Sequence, residues 1–128
     1  MTTAYNGRLF SAAATEGKPF VTVWDGQVYE YELFAIPKGA PNKDQALEYI
    51  KFATGTQRLA DQTKWISYGP ARKSSLPLVD LFMDGKTQMA GYIPTAEANM
   101  TNALRQSTEF WVDHDTEISE RFNTWLVN

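Results

Sequence analysis

The chain of 128 residues contains no cysteine and a single histidine. The lack of cysteine excludes disulfide bridges, thiolate metal sites and cysteine nucleophiles together. No apolar run approaches the length of about 20 residues that a membrane-spanning helix needs. There is no long run of like charge and no basic stripe, and the net charge is -3, so we expect no nucleic-acid partner.

The single histidine, His114, lies between Asp113 and Asp115, an order that could suggest a metal site. Adjacent positions on a helix point in different directions, and no second histidine is present, so we expect no metal. Ser74 and Ser75 have no histidine–acid pair nearby in the sequence to activate them as nucleophiles. We therefore expect no cofactor and no catalysis from these residues.

Hydrophobic residues make up 43% of the chain and charged residues 21%, the composition of one globular domain. The first third is rich in β-branched and aromatic residues at 20–24 and 27–33, which predicts two strands. Asp25-Gly26 separates the two runs. Because both positions of such a turn tolerate positive φ, we expect a β-hairpin.

The second predicted strand alternates in polarity. Tyr29, Tyr31 and Leu33 share one face, whereas Glu30 and Glu32 share the other. We expect a buried face of aromatic and aliphatic side chains and an opposite face that exposes carboxylates.

Helical periodicity dominates after a break at residues 36–41, where two prolines and a glycine interrupt regular structure. The first predicted helix is capped by Asn42, with Gln45 as its capping-box partner and Gly55 as its stop. The other predicted helices cover 56–65 with Trp65 inward, 76–83, 96–104, and a C-terminal amphipathic helix with Ile118, Phe122, Trp125 and Leu126 on one face. Early strands and later helices predict an α/β fold.

The order of several segments resembles a known family, the extracellular solute-binding proteins of type 2 topology. Maltose-binding-like and polyamine-binding-like members share this order, and the resemblance covers essentially the whole chain. The segments that carry it are Asn6-Gly7, the predicted hairpin, Phe34-Ala-Ile-Pro-Lys-Gly-Ala-Pro-Asn-Lys-Asp44, Ala46 to Phe52, Tyr68 to Lys73, Phe110-Trp111 and Phe122 to Trp125.

The resemblance implies a periplasmic-binding-protein-like fold of type 2 that is incomplete, a C-terminal fragment with elements of both lobes. Residues 1–33 would belong to the second lobe, 34–72 to the first, and 73–128 would return to the second, with Leu33 to Ile36 as the strand between lobes. The first ten residues do not form a signal peptide. We therefore expect the start of the exported protein to be missing and Met1 to be an internal methionine.

The resemblance also implies a ligand site. Tyr5-Asn-Gly-Arg8 corresponds to a turn that presents an aromatic ring and a polar side chain to the ligand, and Glu32 to an acidic residue that holds an ammonium group in polyamine-binding relatives. Arg8 stands where those relatives carry an acidic residue; it would repel a dication but suits a carboxylate. With Tyr5 or Trp24 against the methylene chain, a zwitterion of the γ-aminobutyrate or betaine type fits better than putrescine.

These features predict the substrate-binding component of an ABC importer in the periplasm, which captures a small zwitterionic or cationic solute, an amino acid or a polyamine, and presents it to a permease. Two alternatives stay open: a fragment without ligand binding, and a small α/β enzyme that uses Glu32 or Asp25. Because the helices at 42–54 and 56–65 carry apolar stripes, we also expect a homodimer, with segment swapping as one form, rather than a monomer.

Overall fold

Helices carry most of the regular structure in the computed structural model of this protein, which describes residues 3–127. Met1, interpreted above as an internal methionine, lies outside the described residues. The α-helices are α1 (Asn6–Phe10), α2 (Lys43–Ala53), α3 (Thr56–Gln62) and α4 (Thr108–Leu126), and the strands are β1 (Val28–Tyr29) and β2 (Leu104–Arg105). A π-helical turn at Ser11–Thr15 extends α1, and 3₁₀ turns lie at Lys73–Leu78, Met89–Gly91 and Glu97–Met100.

The two strands form a parallel sheet in which Val28 pairs with Leu104. The Asp25-Gly26 turn does form, because the N–H of Gln27 donates to the carbonyl oxygen of Trp24 over 3.0 Å and Gly26 adopts a φ of 72°. The predicted hairpin is nevertheless wrong. Residues 20–24 form no strand, and the partner of β1 comes from a part of the chain far along the sequence.

The alternation predicted for residues 27–33 does not create a buried face. Tyr29 is half-buried, but Tyr31 is 55% exposed and Leu33 is 84% exposed. β1 ends at Tyr29, so Tyr31 and Leu33 lie beyond the sheet. Leu33 to Ile36, predicted as a strand between lobes, form no strand.

The helices predicted from residue 42 onward are present as α2 and α3, but their ends differ from the prediction. Asn42 is the N-cap of α2, yet its side chain makes no capping hydrogen bond. Gly55 has a φ of -63° and is the N-cap of α3, not a left-handed stop. α2 ends at Ala53, and its C-cap residue Thr54 donates from its hydroxyl to the carbonyl oxygen of Ile50 over 2.8 Å.

The second of these helices ends at Gln62, three residues earlier than predicted. A turn follows in which the N–H of Trp65 donates to the carbonyl oxygen of Gln62 over 3.0 Å. This turn carries Trp65 outward, where it is 68% exposed, so its predicted inward position is wrong.

The helices predicted at 76–83 and 96–104 are short 3₁₀ turns instead, at Lys73–Leu78 and Glu97–Met100. Pro77 lies inside the first turn, where it lacks an N–H for helical hydrogen bonding. The last residue of the second predicted helix, Leu104, belongs to β2. Neither segment forms an α-helix, because its backbone N–H and C=O groups make other hydrogen bonds.

The core lies beneath α1 and α3. Its largest fully buried side chains are Met89, Ile93, Thr63, Ser67 and Ser75. Ala60 of α3 is also buried, and so is Phe10 of α1.

Phe10 fixes α1 on this core through two aromatic contacts. Its ring packs edge-on against the rings of Phe82 and Tyr92, with centroid distances of 5.0 and 5.1 Å. These contacts tie the N-terminal helix to residues more than 70 positions away.

α4 is the longest helix and confirms the predicted C-terminal amphipathic helix. The side chain of Ser107 caps it by accepting a hydrogen bond from the N–H of Phe110 over 3.1 Å. Its apolar stripe faces solvent, with Phe122 54% exposed and Trp125 69% exposed. No described helix is long and apolar enough to cross a membrane.

We expect Gly69→Ala to lower the free energy of unfolding by about 1–3 kcal/mol, because a Cβ at Gly69 would overlap the side chain of Thr95. Gly91→Ala is the matched control, since nothing lies within 4 Å of a Cβ placed there. Urea unfolding of both variants tests this. Equal stabilities would show that the Gly69–Thr95 contact does not constrain the core.

Candidate ligand-binding site

Tyr5 and Arg8 lie together at the start of α1. Tyr5 is the N-cap residue, and its carbonyl oxygen accepts a hydrogen bond from the N–H of Arg8 over 3.0 Å. Both side chains are exposed, and the ring of Tyr5 is 63% exposed, so it is not a core residue. Arg8 forms no ion pair with any described residue. Its guanidinium is therefore free to receive an external carboxylate.

Asn6 fixes the orientation of this helix. Its side-chain amide donates to the carbonyl oxygen of Ser67 and to the Ser67 hydroxyl, the latter over 3.3 Å. Ser67 is fully buried, so the start of α1 is attached to the core on one side. Tyr5 and Arg8 are consequently presented from a fixed base.

Gly7 lies within α1, although the resemblance implies a turn at residues 5–8. A Cβ at this position would lie 2.7 Å from a ring carbon of Tyr68. The missing side chain makes room for this ring, so Gly7 serves packing of α1 on residues 67–68.

The other predicted residues lie on the segment from the Asp25-Gly26 turn to the end of β1. Trp24 is half-buried immediately before the turn, and Glu32 is exposed three residues after β1. Asp25, the alternative catalytic carboxylate, accepts a hydrogen bond from the side-chain amide of Asn102 over 2.7 Å. That contact gives Asp25 a structural partner.

The structure brings Tyr5 next to the carboxylates of this segment. The negative charge of Glu30, and then its hydrogen bond with the phenol, raise the pKa of Tyr5 above its ordinary value, and Glu32 adds a smaller effect in the same direction. Three acidic or phenolic side chains from two distant segments thus share one exposed surface. Glu30 is the closer partner of Tyr5, although the sequence favours Glu32.

A cation already contacts the neighbouring ring. The guanidinium of Arg105 lies 5.4 Å from the ring centroid of Tyr31, whose ring also meets that of Tyr29 edge-on at 5.8 Å. This contact shows that the aromatic surface after β1 accepts a positive group, as cation–π geometry allows.

Of the predicted residues, Tyr5, Arg8 and Glu32 are exposed and Trp24 is half-buried. Two depressions lie along α4, one of about 230 Å³ lined by residues 105–109 and one of about 490 Å³ lined by residues 120, 121, 124 and 125. Neither contains Tyr5, Arg8, Trp24 or Glu32. Within residues 3–127 no cluster of three metal-ligating side chains is present; His114 packs against the ring of Phe110, with centroids 4.7 Å apart.

Comparison with known proteins identifies the class. The model of the family described as bacterial extracellular solute-binding protein matches residues 1–95, about three quarters of the chain. The chain therefore belongs to this family.

A particular relative is a gamma-aminobutyric acid-binding protein from Pseudomonas aeruginosa, strain PAO1. The two sequences are 42% identical over 127 residues, which is 99% of this chain. The match covers 34% of the relative, so the chain spans about a third of its length.

We expect Glu30→Gln to lower the pKa of Tyr5, because it removes the charge that most strongly opposes ionisation of the phenol. Glu48→Gln on α2 is the matched control and should leave the Tyr5 titration unchanged. Titration of tyrosine resonances by NMR between neutral and high pH tests this. An unchanged Tyr5 pKa in Glu30→Gln would show that the two side chains do not meet in solution.

Proposed function

We propose that this chain carries part of the ligand site of a periplasmic ABC-importer binding protein, with an ω-amino acid of the γ-aminobutyrate type as the solute. The supporting observation is the exposed surface where Tyr5 meets Glu30 and Glu32, next to Arg8 on the same helix. The 42% identity with a gamma-aminobutyric acid-binding protein supports the same ligand class.

The chemistry of the surface suits a zwitterion. Arg8 offers a planar guanidinium without a described acidic partner, which can receive a carboxylate through two parallel hydrogen bonds. Glu32, with Glu30 beside it, offers negative charge for an ammonium group. The rings of Tyr5 and Trp24 provide apolar surface for the methylenes between the two charges.

The open geometry is expected for one wall of a cleft. Ligand pockets usually bury at least about 70% of a small ligand, which a flat surface cannot do. In the proposed type 2 fold, residues 1–33 and 73–128 belong to one lobe and residues 34–72 to the other, and the ligand lies between lobes. We propose that closure of the lobes completes the site and presents the solute to a membrane permease.

The enzymatic alternative has no supporting observation. Asp25 is engaged by Asn102, and Glu32 has no described histidine or serine partner arranged for catalysis. Ser75, fully buried, donates to the carbonyl oxygen of Thr56 over 2.7 Å and so holds the 3₁₀ turn at 73–78 against α3.

We also propose that the chain forms a homodimer. It exposes 10275 Å² of accessible surface. A compact monomer of 14.5 kDa would expose roughly 6,900 Å². An obligate dimer buries about 1,000–2,500 Å² on each protomer, so a second copy would cover a large part of this excess of about 3,400 Å² but not all of it. A small ligand would cover very little of it.

The charges favour one arrangement of this dimer. α4 carries five acidic residues and one arginine, so two α4 helices would repel each other if they packed together. The surface of α2, α3 and the turn after α3 exposes the apolar side chains of Leu47, Phe52 and Trp65. Its four basic residues outnumber its three acidic ones by one, so it repels α4 less than a second α4 would. We propose that α4 of each protomer packs on the α2–α3 surface of its partner, which amounts to an exchange of segments.

We expect γ-aminobutyrate to perturb the NMR resonances of Tyr5, Arg8 and Trp24, and butylamine, which lacks the carboxylate, to perturb them much less. Arg8→Ala should weaken γ-aminobutyrate binding by about 1.5–3 kcal/mol, since it removes the charge-assisted hydrogen bonds to the ligand carboxylate. Arg58→Ala on α3 is the matched control and should bind like the unsubstituted chain. Equal affinity of Arg8→Ala and the unsubstituted chain would contradict the carboxylate role.

We expect light scattering at micromolar concentration to give the mass of a dimer. Trp125→Ala should shift the equilibrium toward monomer, because Trp125 lies on the apolar face of α4, whereas Asn123→Ala on the opposite face should not. A monomer mass with a single cooperative melt for the unsubstituted chain would rule out the dimer.

A further inference from the structure

Gln27 makes an unusual set of contacts for a residue that directly follows a tight turn. Its side-chain amide nitrogen donates to the carbonyl oxygen of Pro94 over 3.0 Å and to that of Asn99 over 2.6 Å. An amide NH₂ group has two protons, so both are used. The side chain is half-buried, and its donors are fixed between two carbonyl acceptors.

The backbone of Gln27 adds two further hydrogen bonds. Its N–H closes the turn by donating to the carbonyl oxygen of Trp24 over 3.0 Å, and its carbonyl oxygen accepts from the N–H of Leu104 over 2.8 Å. The N–H of Gln106 then donates to the carbonyl oxygen of Tyr29 over 2.9 Å. Gln27 therefore connects the turn, β1 and residues 94–106 at one point.

The acceptors of Gln27 are themselves held by the core. The side-chain amide of Asn99 donates to the carbonyl oxygen of Ile93 over 2.9 Å, and Ile93 is 1% exposed. Tyr92, the residue before Ile93, contacts the ring of Phe10 at the end of α1. Both site segments are therefore attached to the same part of the core, around Ile93. One is the helix that follows Tyr5 and carries Arg8, and the other carries Trp24 and Glu32.

We infer that Gln27 is a positioning residue for the ligand site, an inference that rests on the proposed function. It touches no ligand. It sets the place of Trp24 and of the residues after β1 relative to α1, through the carbonyl oxygens of Pro94 and Asn99. Without the two hydrogen bonds from the Gln27 side chain, residues 24–32 would no longer be held at a fixed distance from Arg8.

The test uses Gln27→Met, which keeps the length of the side chain and removes both donors. Ser75→Ala is the matched control, because it removes a buried side-chain hydrogen bond on the α3 side of the core. We expect Gln27→Met to weaken γ-aminobutyrate binding about tenfold, because the ligand would have to order the segment with Trp24 and Glu32 when it binds. Ser75→Ala should bind γ-aminobutyrate with unchanged affinity, even if its melting temperature falls by as much as that of Gln27→Met.

Amide hydrogen exchange gives a second readout that does not depend on the ligand. The N–H groups of Leu104 and Gln106 should lose protection in Gln27→Met and keep it in Ser75→Ala. Gln27→Ala, which also lacks both donors and adds no charge, should lose the same protection, and it replaces Gln27→Met if the methionine variant does not fold.

The outcomes separate the inference from the proposed function. An unsubstituted chain that binds no γ-aminobutyrate contradicts the proposed function, while exchange at Leu104 and Gln106 still decides whether Gln27 holds the segment. Unchanged exchange and affinity in Gln27→Met would overturn the inference. Equal loss of γ-aminobutyrate affinity in Gln27→Met and Ser75→Ala would contradict the inference, because it would show that Gln27 only stabilises the fold.

Discussion

Burial of the Met89 and Ile93 side chains is the constraint on which the candidate site depends. These two side chains are fully buried, and the residues around them carry the attachments of both site segments. Phe10 attaches α1 through an apolar contact with Tyr92, and Gln27 attaches the turn and β1 through polar contacts with the carbonyl oxygens that follow Ile93. The apolar contact of Phe10 and the directional hydrogen bonds of Gln27 together fix the position and the orientation of the two site segments.

The sequence predicts the elements that depend on local pattern. α2, α3 and α4 follow from apolar residues at helical spacing, and the Asp25-Gly26 turn follows from backbone preferences. The prediction of a hairpin is wrong because local propensity does not encode which strands pair. β1 pairs with Leu104 and Arg105 of β2. The predicted end of α3 is wrong for a similar reason, because contacts with other parts of the chain determine where the helix stops and where Trp65 points.

The site shows the same division between local and distant information. Tyr5, Arg8, Trp24 and Glu32 are expectations from the resemblance, and the structure places Tyr5 with the carboxylates of the second segment. Neither the closeness of Glu30 to Tyr5 nor the role of Gln27 leaves a signal in the sequence. Both depend on chain segments more than 20 residues apart meeting in space.

We propose that α1 and the segment after the turn form one wall of a site for a zwitterionic ω-amino acid. Intermolecular NOEs between isotope-labelled γ-aminobutyrate and the protein test this site most directly. We predict NOEs from the ligand methylenes to the rings of Tyr5 and Trp24, with the carboxylate end toward Arg8 and the ammonium end toward Glu32. NOEs confined to the depressions along α4, or a bound ligand in the reverse orientation, would contradict it.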